Sequence, residues 1–116
     1  MHVKNRTPLH LCTEPVITRL AQMPSSSGYL GLMKKPQYSY KKLLEAKNME
    51  KIIICDRITD PGNMGTIIRN AVAYQYDAII TTPGSVHAFN DKVVRSSAGA
   101  VFKIPIVESV EMQSIV

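Results

Sequence analysis

The run Ile52-Ile53-Ile54-Cys55 constrains this chain more than any other stretch. A continuous β-branched run is the pattern of a strand buried on both faces. Asp60-Pro61 follows as a helix start, with Asp as N-cap and Pro at the first helical position. Met64, Ile67, Ile68, Ala71 and Val72 then recur at helical spacing as one apolar stripe. A second buried-strand run, Ala78-Ile79-Ile80, lies within residues 77–82, and Pro83-Gly84 turns the chain. Asn90 or Asp91 can cap a helix through Val93, Val94 and Ser97 that Gly99 ends. Residues 101–107 read as a third strand, and Ser109 onward as the start of a further helix. Strand, helix, strand, helix, strand is the order of an α/β fold: a parallel sheet with crossover helices.

The 116 residues suit one small domain or part of a larger one, and 45% apolar with 20% charged residues excludes a wholly disordered chain. No apolar run approaches the roughly 20 residues of a membrane span, and no apolar core follows the first charges as in a secretory signal. Cys12 and Cys55 have neither a metal-ligand nor a disulfide-framework spacing, so reduced thiols and a cytoplasmic setting are expected. His10 and Cys12 lack a second ligand pair, so no metal site is expected.

Charge is unevenly placed. Residues 1–51 carry nine Lys/Arg against three acids, +6, whereas residues 52–116 carry five against six, −1. A basic front half suits a polyanion such as nucleic acid, and equally a solvated surface. All seven leucines lie between Leu9 and Leu44. We therefore divide the chain into a basic leader and connector, residues 1–48, and an α/β part, residues 49–116. Within the leader, Thr13 can cap a helix carrying Val16, Ile17, Leu20 and Met23. Tyr29 to Met33 reads as a weak strand, and Ser39 can cap a helix burying Leu43 and Leu44. Tyr29, Tyr38 and Tyr40 beside Lys34, Lys35, Lys41 and Lys42 could stack on and clamp single-stranded RNA; an exposed basic linker explains them equally well.

Two segments could carry chemistry. Residues 60–69, Asp-Pro-Gly-Asn-Met-Gly-Thr-Ile-Ile-Arg, follow the carboxyl end of a strand and open a helix, where α/β proteins place functional loops. The segment is neither a Rossmann fingerprint nor a P-loop. Gly62 and Gly65 permit close approach of a ligand or another backbone. Arg69 lies with Thr66 and Ala73 opposite the apolar stripe, facing a strand-end cleft, a partner or solvent. In the second segment, residues 90–102, Lys92 and Arg95 share one helical face and could contact phosphates. Ser97, Ala98, Gly99 and Ala100 are small enough for close backbone packing or for a bound chain. No Gly-x-Ser-x-Gly elbow makes either serine a nucleophile.

In these two segments, Asp56 to Arg69 and Lys92 to Phe102 continuing to Ile104-Pro105-Ile106, the sequence resembles the SpoU/TrmH family of RNA ribose 2′-O-methyltransferases in the knotted SPOUT superfamily. The likeness covers residues 51–107, about half the chain. A fainter one, Ile17 to Pro36, resembles the end of a substrate-binding domain and its connector. The resemblance implies methyl transfer from S-adenosylmethionine to a ribose 2′-hydroxyl of tRNA or rRNA, within a homodimer. It implies Asn63 and Arg69 as catalytic residues, and Arg69, Lys92, Arg95 and Ser97 as RNA-binding ones. A guanidinium is very hard to deprotonate, so Arg69 is expected to hold the neighbouring phosphate and stabilise a developing alkoxide. Asn63 is expected to fix the loop and orient Arg69 through side-chain hydrogen bonds.

The sequence departs from the family in two ways. A Phe-Gly-like step usually closes the first catalytic helix, and here it is Tyr74-Gln75-Tyr76. If position 75 is left-handed, Gln costs about 1 kcal/mol relative to Gly. The family's Gly-x-Glu and Ser-Leu-Asn segments have no counterpart in these residues. The resemblance therefore implies the N-terminal part of a trefoil-knot domain without its knot, and assigns no cofactor-binding residue. The apolar Ile115-Val116 end, readable as a docked helix, is then expected to be a truncation. A non-catalytic RNA-binding protein, or a remnant of such an enzyme, is the alternative expectation.

Overall fold

The computed structural model describes residues 8–21, 28–46 and 49–115, in two units divided between Lys34 and Lys35. The first unit holds α1 (Glu14–Ala21), which starts with the amides of Val16 and Ile17 on the Thr13 carbonyl. None of its residues is buried, and Met23 lies outside the described residues. Tyr29 to Met33 forms no strand. With Tyr29 and Leu32 almost fully exposed, the stretch has neither a pairing partner nor a face to bury.

The second unit is α/β. It runs α2 (Tyr40–Glu45), β1 (Ile52–Cys55), α3 (Pro61–Ala73), β2 (Ala78–Thr81), α4 (Asp91–Ser96) and β3 (Ile106–Val107). The three strands are parallel in the order β1-β2-β3, with Ile52 opposite Ala78 and Ile79 opposite Ile106. Period-two alternation sends Ile79, Ile106 and Cys55 to a core shared with Met64, Ile68 and Ala71 of α3 and Val93 of α4. Ala78, Ile80 and Val107 face the other way, onto Leu43 of α2.

Several expectations change here. β1 is an edge strand rather than one buried on both faces, and Ile54 is 45% exposed. Burial on both faces belongs to the central β2, whose four residues are all buried. The six-residue α2 buries Leu43 but leaves Leu44 exposed, and its Ser39 side chain makes no cap bond. The third strand shrinks to Ile106–Val107, because Ala100–Phe102 forms a 3-10 turn after left-handed Gly99. The helix expected from Ser109 is a single 3-10 turn, Met112–Ser114.

The start of α3 follows its sequence closely. Asp60 caps it, its Oδ1 accepting the Asn63 amide at 2.7 Å, and Pro61 occupies the first turn. At its other end the amides of Gln75 and Tyr76 bond the Val72 and Ala71 carbonyls, with Gln75 left-handed at φ 58°. That is a Schellman closure carrying Gln where Gly is preferred. Among the described residues no helix is long and apolar enough to cross a membrane.

Candidate functional site

The carboxyl ends of the three strands meet in a polar rim that the threonines of β2 and the next residue organise. The Thr82 hydroxyl donates to Asp56 Oδ1 at 2.7 Å and accepts the Arg57 amide at 3.1 Å. On the opposite side, Thr81 Oγ1 and the Thr81 carbonyl accept the amides of Ser109 and Val110. Both flanking turns, at Arg57 and Ser109, are left-handed non-glycine residues. Ser85 ties the rim further, accepting the Ile58 amide and donating to the Cys55 carbonyl. Thr81, Thr82 and Ser85 were not singled out from sequence. Their position just past a wholly buried strand is the signal that could have found them.

Charges on this rim are matched. The Thr82 hydroxyl and then the Arg57 guanidinium hold the Asp56 carboxyl below its ordinary range. Burial pushes the Glu108 carboxyl up, but Lys35, the Ala88 amide and His87 outweigh it and leave Glu108 below the usual range. Lys35 pairs with Glu108 and lies 5.2 Å from the Phe89 ring centre. His87 Nδ1 stands 3.5 Å from Glu108. Burial pushes the Cys55 thiol up, away from thiolate chemistry.

Asn63 and Arg69 are both exposed on α3. Asn63 sits in the first turn and Arg69 six residues on, a rise of about 9 Å along the helix. The Asn63 backbone amide is bonded to Asp60, but no hydrogen bond joins the Asn63 side chain to Arg69. The expected orienting contact is therefore absent, because the two side chains leave the helix in different directions. Arg57 and Arg95 are ion-paired, to Asp56 and Asp91, whereas Arg69 pairs with no described residue.

Lys92 and Arg95 are exposed on α4 as expected. Ser97 is not on that surface. It is fully buried, and its hydroxyl donates to the Val94 carbonyl at 2.9 Å, so an RNA-facing role for it is withdrawn. The close approach allowed by Gly65 is used within the chain, where Ser96 of α4 packs on it and donates to the Pro61 carbonyl at 2.9 Å.

A groove of about 340 Å³ follows the open edge of β1, between Ile54, Ile67, Asn70, Tyr74 and Tyr76. It offers an amide and two phenols but no charged side chain. Among the described residues no group of three or more His, Cys, Asp or Glu could hold a metal ion.

Comparison with known proteins places this geometry. The model of the SpoU rRNA methylase family matches residues 50–116. The mitochondrial rRNA methyltransferase 3 of Homo sapiens is 32% identical over 98 residues, covering 82% of this chain and 23% of that protein. The 23S rRNA (guanosine(2553)-2′-O)-methyltransferase RlmP of Bacillus subtilis is 46% identical over 57 residues, covering 49% of this chain and 23% of its own length. The chain thus spans under a quarter of the length of these curated relatives. An rRNA methyltransferase from Sinorhizobium meliloti superposes with a TM-score of 0.79 at 30% identity, over 89% of this chain and 39% of that one. Its AdoMet-bound structure superposes at 0.67 and 28% identity over the same shares.

Proposed function

Because this chain belongs to the SpoU rRNA methylase family, we propose that it carries the RNA-facing part of a ribose 2′-O-methyltransferase acting on rRNA with S-adenosylmethionine as donor. The observation that supports this reading is Arg69: an exposed guanidinium on a helix opened by a capped strand-end loop, uncommitted to any described carboxylate. In this reading Arg69 holds the phosphate beside the target ribose and stabilises negative charge as the 2′-hydroxyl loses its proton. Lys92 and Arg95 extend the phosphate contact along α4. Asn63 acts on the loop through its backbone bond to Asp60, not by steering Arg69.

S-adenosylmethionine carries a sulfonium and an amino-acid end, and the uncharged groove along β1 does not match that charge pattern. The residues lining that groove therefore do not fit the donor. The relatives' names support rRNA over tRNA. A homodimer and a cytoplasmic setting remain part of the proposal, and sedimentation and cell fractionation test them.

The test is transfer of labelled methyl from S-adenosylmethionine into rRNA, comparing the chain with Arg69→Ala. We expect the 116-residue chain alone to turn over little. When it is joined to a relative's remaining sequence, methylation is expected to appear at ribose 2′-oxygen and to fall at least about a hundredfold with Arg69→Ala. Equal activity of that variant overturns the role of Arg69. RNA binding without methylation in the joined protein points instead to a non-catalytic binder, as the basic front half would also suit.

A further inference from the structure

The functional reading leaves unused the tyrosine- and lysine-rich stretch that precedes β1. In the second unit this stretch begins at the carboxyl end of the sheet, where Lys35 pairs with Glu108. It ends at the amino end of β3, where Tyr38 and Ser39 border a groove with Pro105. The segment thus runs along β3 and brings a tyrosine to the end of the sheet opposite the Asp56 rim.

The groove there has a cavity volume of about 190 Å³, with the buried Leu43 and half-buried Met49 among its lining residues. Tyr38 and Pro105 supply flat apolar surfaces, and Lys42 contributes an ammonium. The polar groups are uncommitted: Gln37, the Ser39 hydroxyl and the Tyr38 hydroxyl bond no described residue. Tyr40, two residues on, differs, for its hydroxyl donates to the Ser114 carbonyl at 2.7 Å. Charge favours an anionic occupant, since residues 35–51 hold five lysines against two glutamates. Lys41 and Lys42 form no ion pair with a described residue.

We propose that this groove binds one base of a single-stranded RNA segment, with Tyr38 stacking on the base and Lys42 meeting an adjacent phosphate. The assignment rests on RNA being the substrate, yet it needs no methyl transfer. Aromatic stacking beside a cation is the chemistry by which proteins hold unpaired bases, and it tolerates any base. A duplex hides its base faces and does not fit. Arg69 on α3 and this groove would then hold two points of one RNA.

The test measures binding of a fluorescent single-stranded 12-nucleotide RNA to the full chain by anisotropy, with a duplex of the same sequence as comparator. Tyr38→Ala is expected to weaken single-strand binding at least about fivefold and Tyr38→Phe to change it little. Lys42→Gln is expected to lower the salt slope by about 0.7. Ultraviolet crosslinking of 4-thiouridine RNA should label the peptide containing Tyr38. Circular dichroism checks that each variant folds. Equal affinity of Tyr38→Ala and its parent, duplex preference, or no single-strand binding at low salt overturns the proposal. If methyl transfer fails in the joined protein while the Tyr38-dependent binding stands, the enzyme reading falls and this one survives. If methyl transfer occurs and Tyr38→Ala binds normally, the reverse holds.

Discussion

A β-carbon built on Gly65 would fall inside Ser96, 2.8 Å from its backbone carbonyl carbon. The glycine therefore sets how closely α3 and α4 pack, and the Ser96 hydroxyl uses that closeness to reach the Pro61 carbonyl. Gly65→Ala should destabilise the chain by about 3 kcal/mol or more, because the clash is with backbone as well as side chain. Ser96→Ala should cost about 1 kcal/mol, the loss of one hydrogen bond. Urea unfolding of both variants checks the order. A Gly65→Ala chain as stable as its parent would mean that the two helices can separate freely.

The Thr82 hydroxyl serves two partners, so Thr82→Val should remove both without changing the side chain's size. The Arg57 amide, left without its acceptor, should cost about 1 to 2 kcal/mol, and Thr82→Ser should stay near the parent. The effect should depend on pH. The folded Asp56 carboxyl lies below its ordinary value, so its contribution is present above about pH 4 and is lost as pH falls through the lower folded value. The deficit of Thr82→Val should therefore shrink in acid. Denaturant midpoints between pH 3 and pH 7 measure it, and a deficit constant across that range contradicts the pairing.

Gln75 has φ 58° at the end of α3, the left-handed geometry that a missing side chain tolerates best. Gln75→Gly should stabilise the fold by up to about 1 kcal/mol and raise Tm by a few degrees. Gln75→Ala should give no such gain, because it keeps the β-carbon that causes the cost. A Tm unchanged in Gln75→Gly would place the strain elsewhere.

How much of this was legible in the sequence varies by element. Asp60 and Pro61 announce α3 because capping and proline geometry act on neighbouring residues alone. A left-handed residue 75 was suggested only by the family resemblance, whose Phe-Gly-like step falls on Tyr74-Gln75. The edge position of β1 was not. An isoleucine run states that a strand is apolar but not how many neighbours cover it, and Ile54, on the same face as Ile80, lies beyond the part of that face that the short α2 covers. Ser96 and Ser97 are alike in sequence, and only the phase of α4 decides which reaches α3 and which is sealed beside Val94. The Thr82 contact joins loops 26 residues apart and leaves no local trace.

Arg69 and Arg95 were both expected to bind RNA, Arg69 as a catalytic residue besides, and their surroundings separate them further. Arg95 Nη2 bonds Asp91 Oδ2 at 2.6 Å, an i,i+4 pair within α4, so part of its charge is already answered. Arg69 has no such partner among the described residues. A phosphate that approaches Arg95 must compete with a carboxylate, whereas one that approaches Arg69 displaces only counterions and water. Arg69→Ala should therefore lower the salt slope of RNA binding by about 0.7 to 0.9, the value of one full phosphate contact. Arg95→Ala should lower it by less, and Asp91→Asn should strengthen binding by releasing Arg95. Anisotropy titrations from 50 to 200 mM salt measure all three slopes. If Arg95→Ala produces the larger change, α4 rather than α3 carries the main phosphate contact.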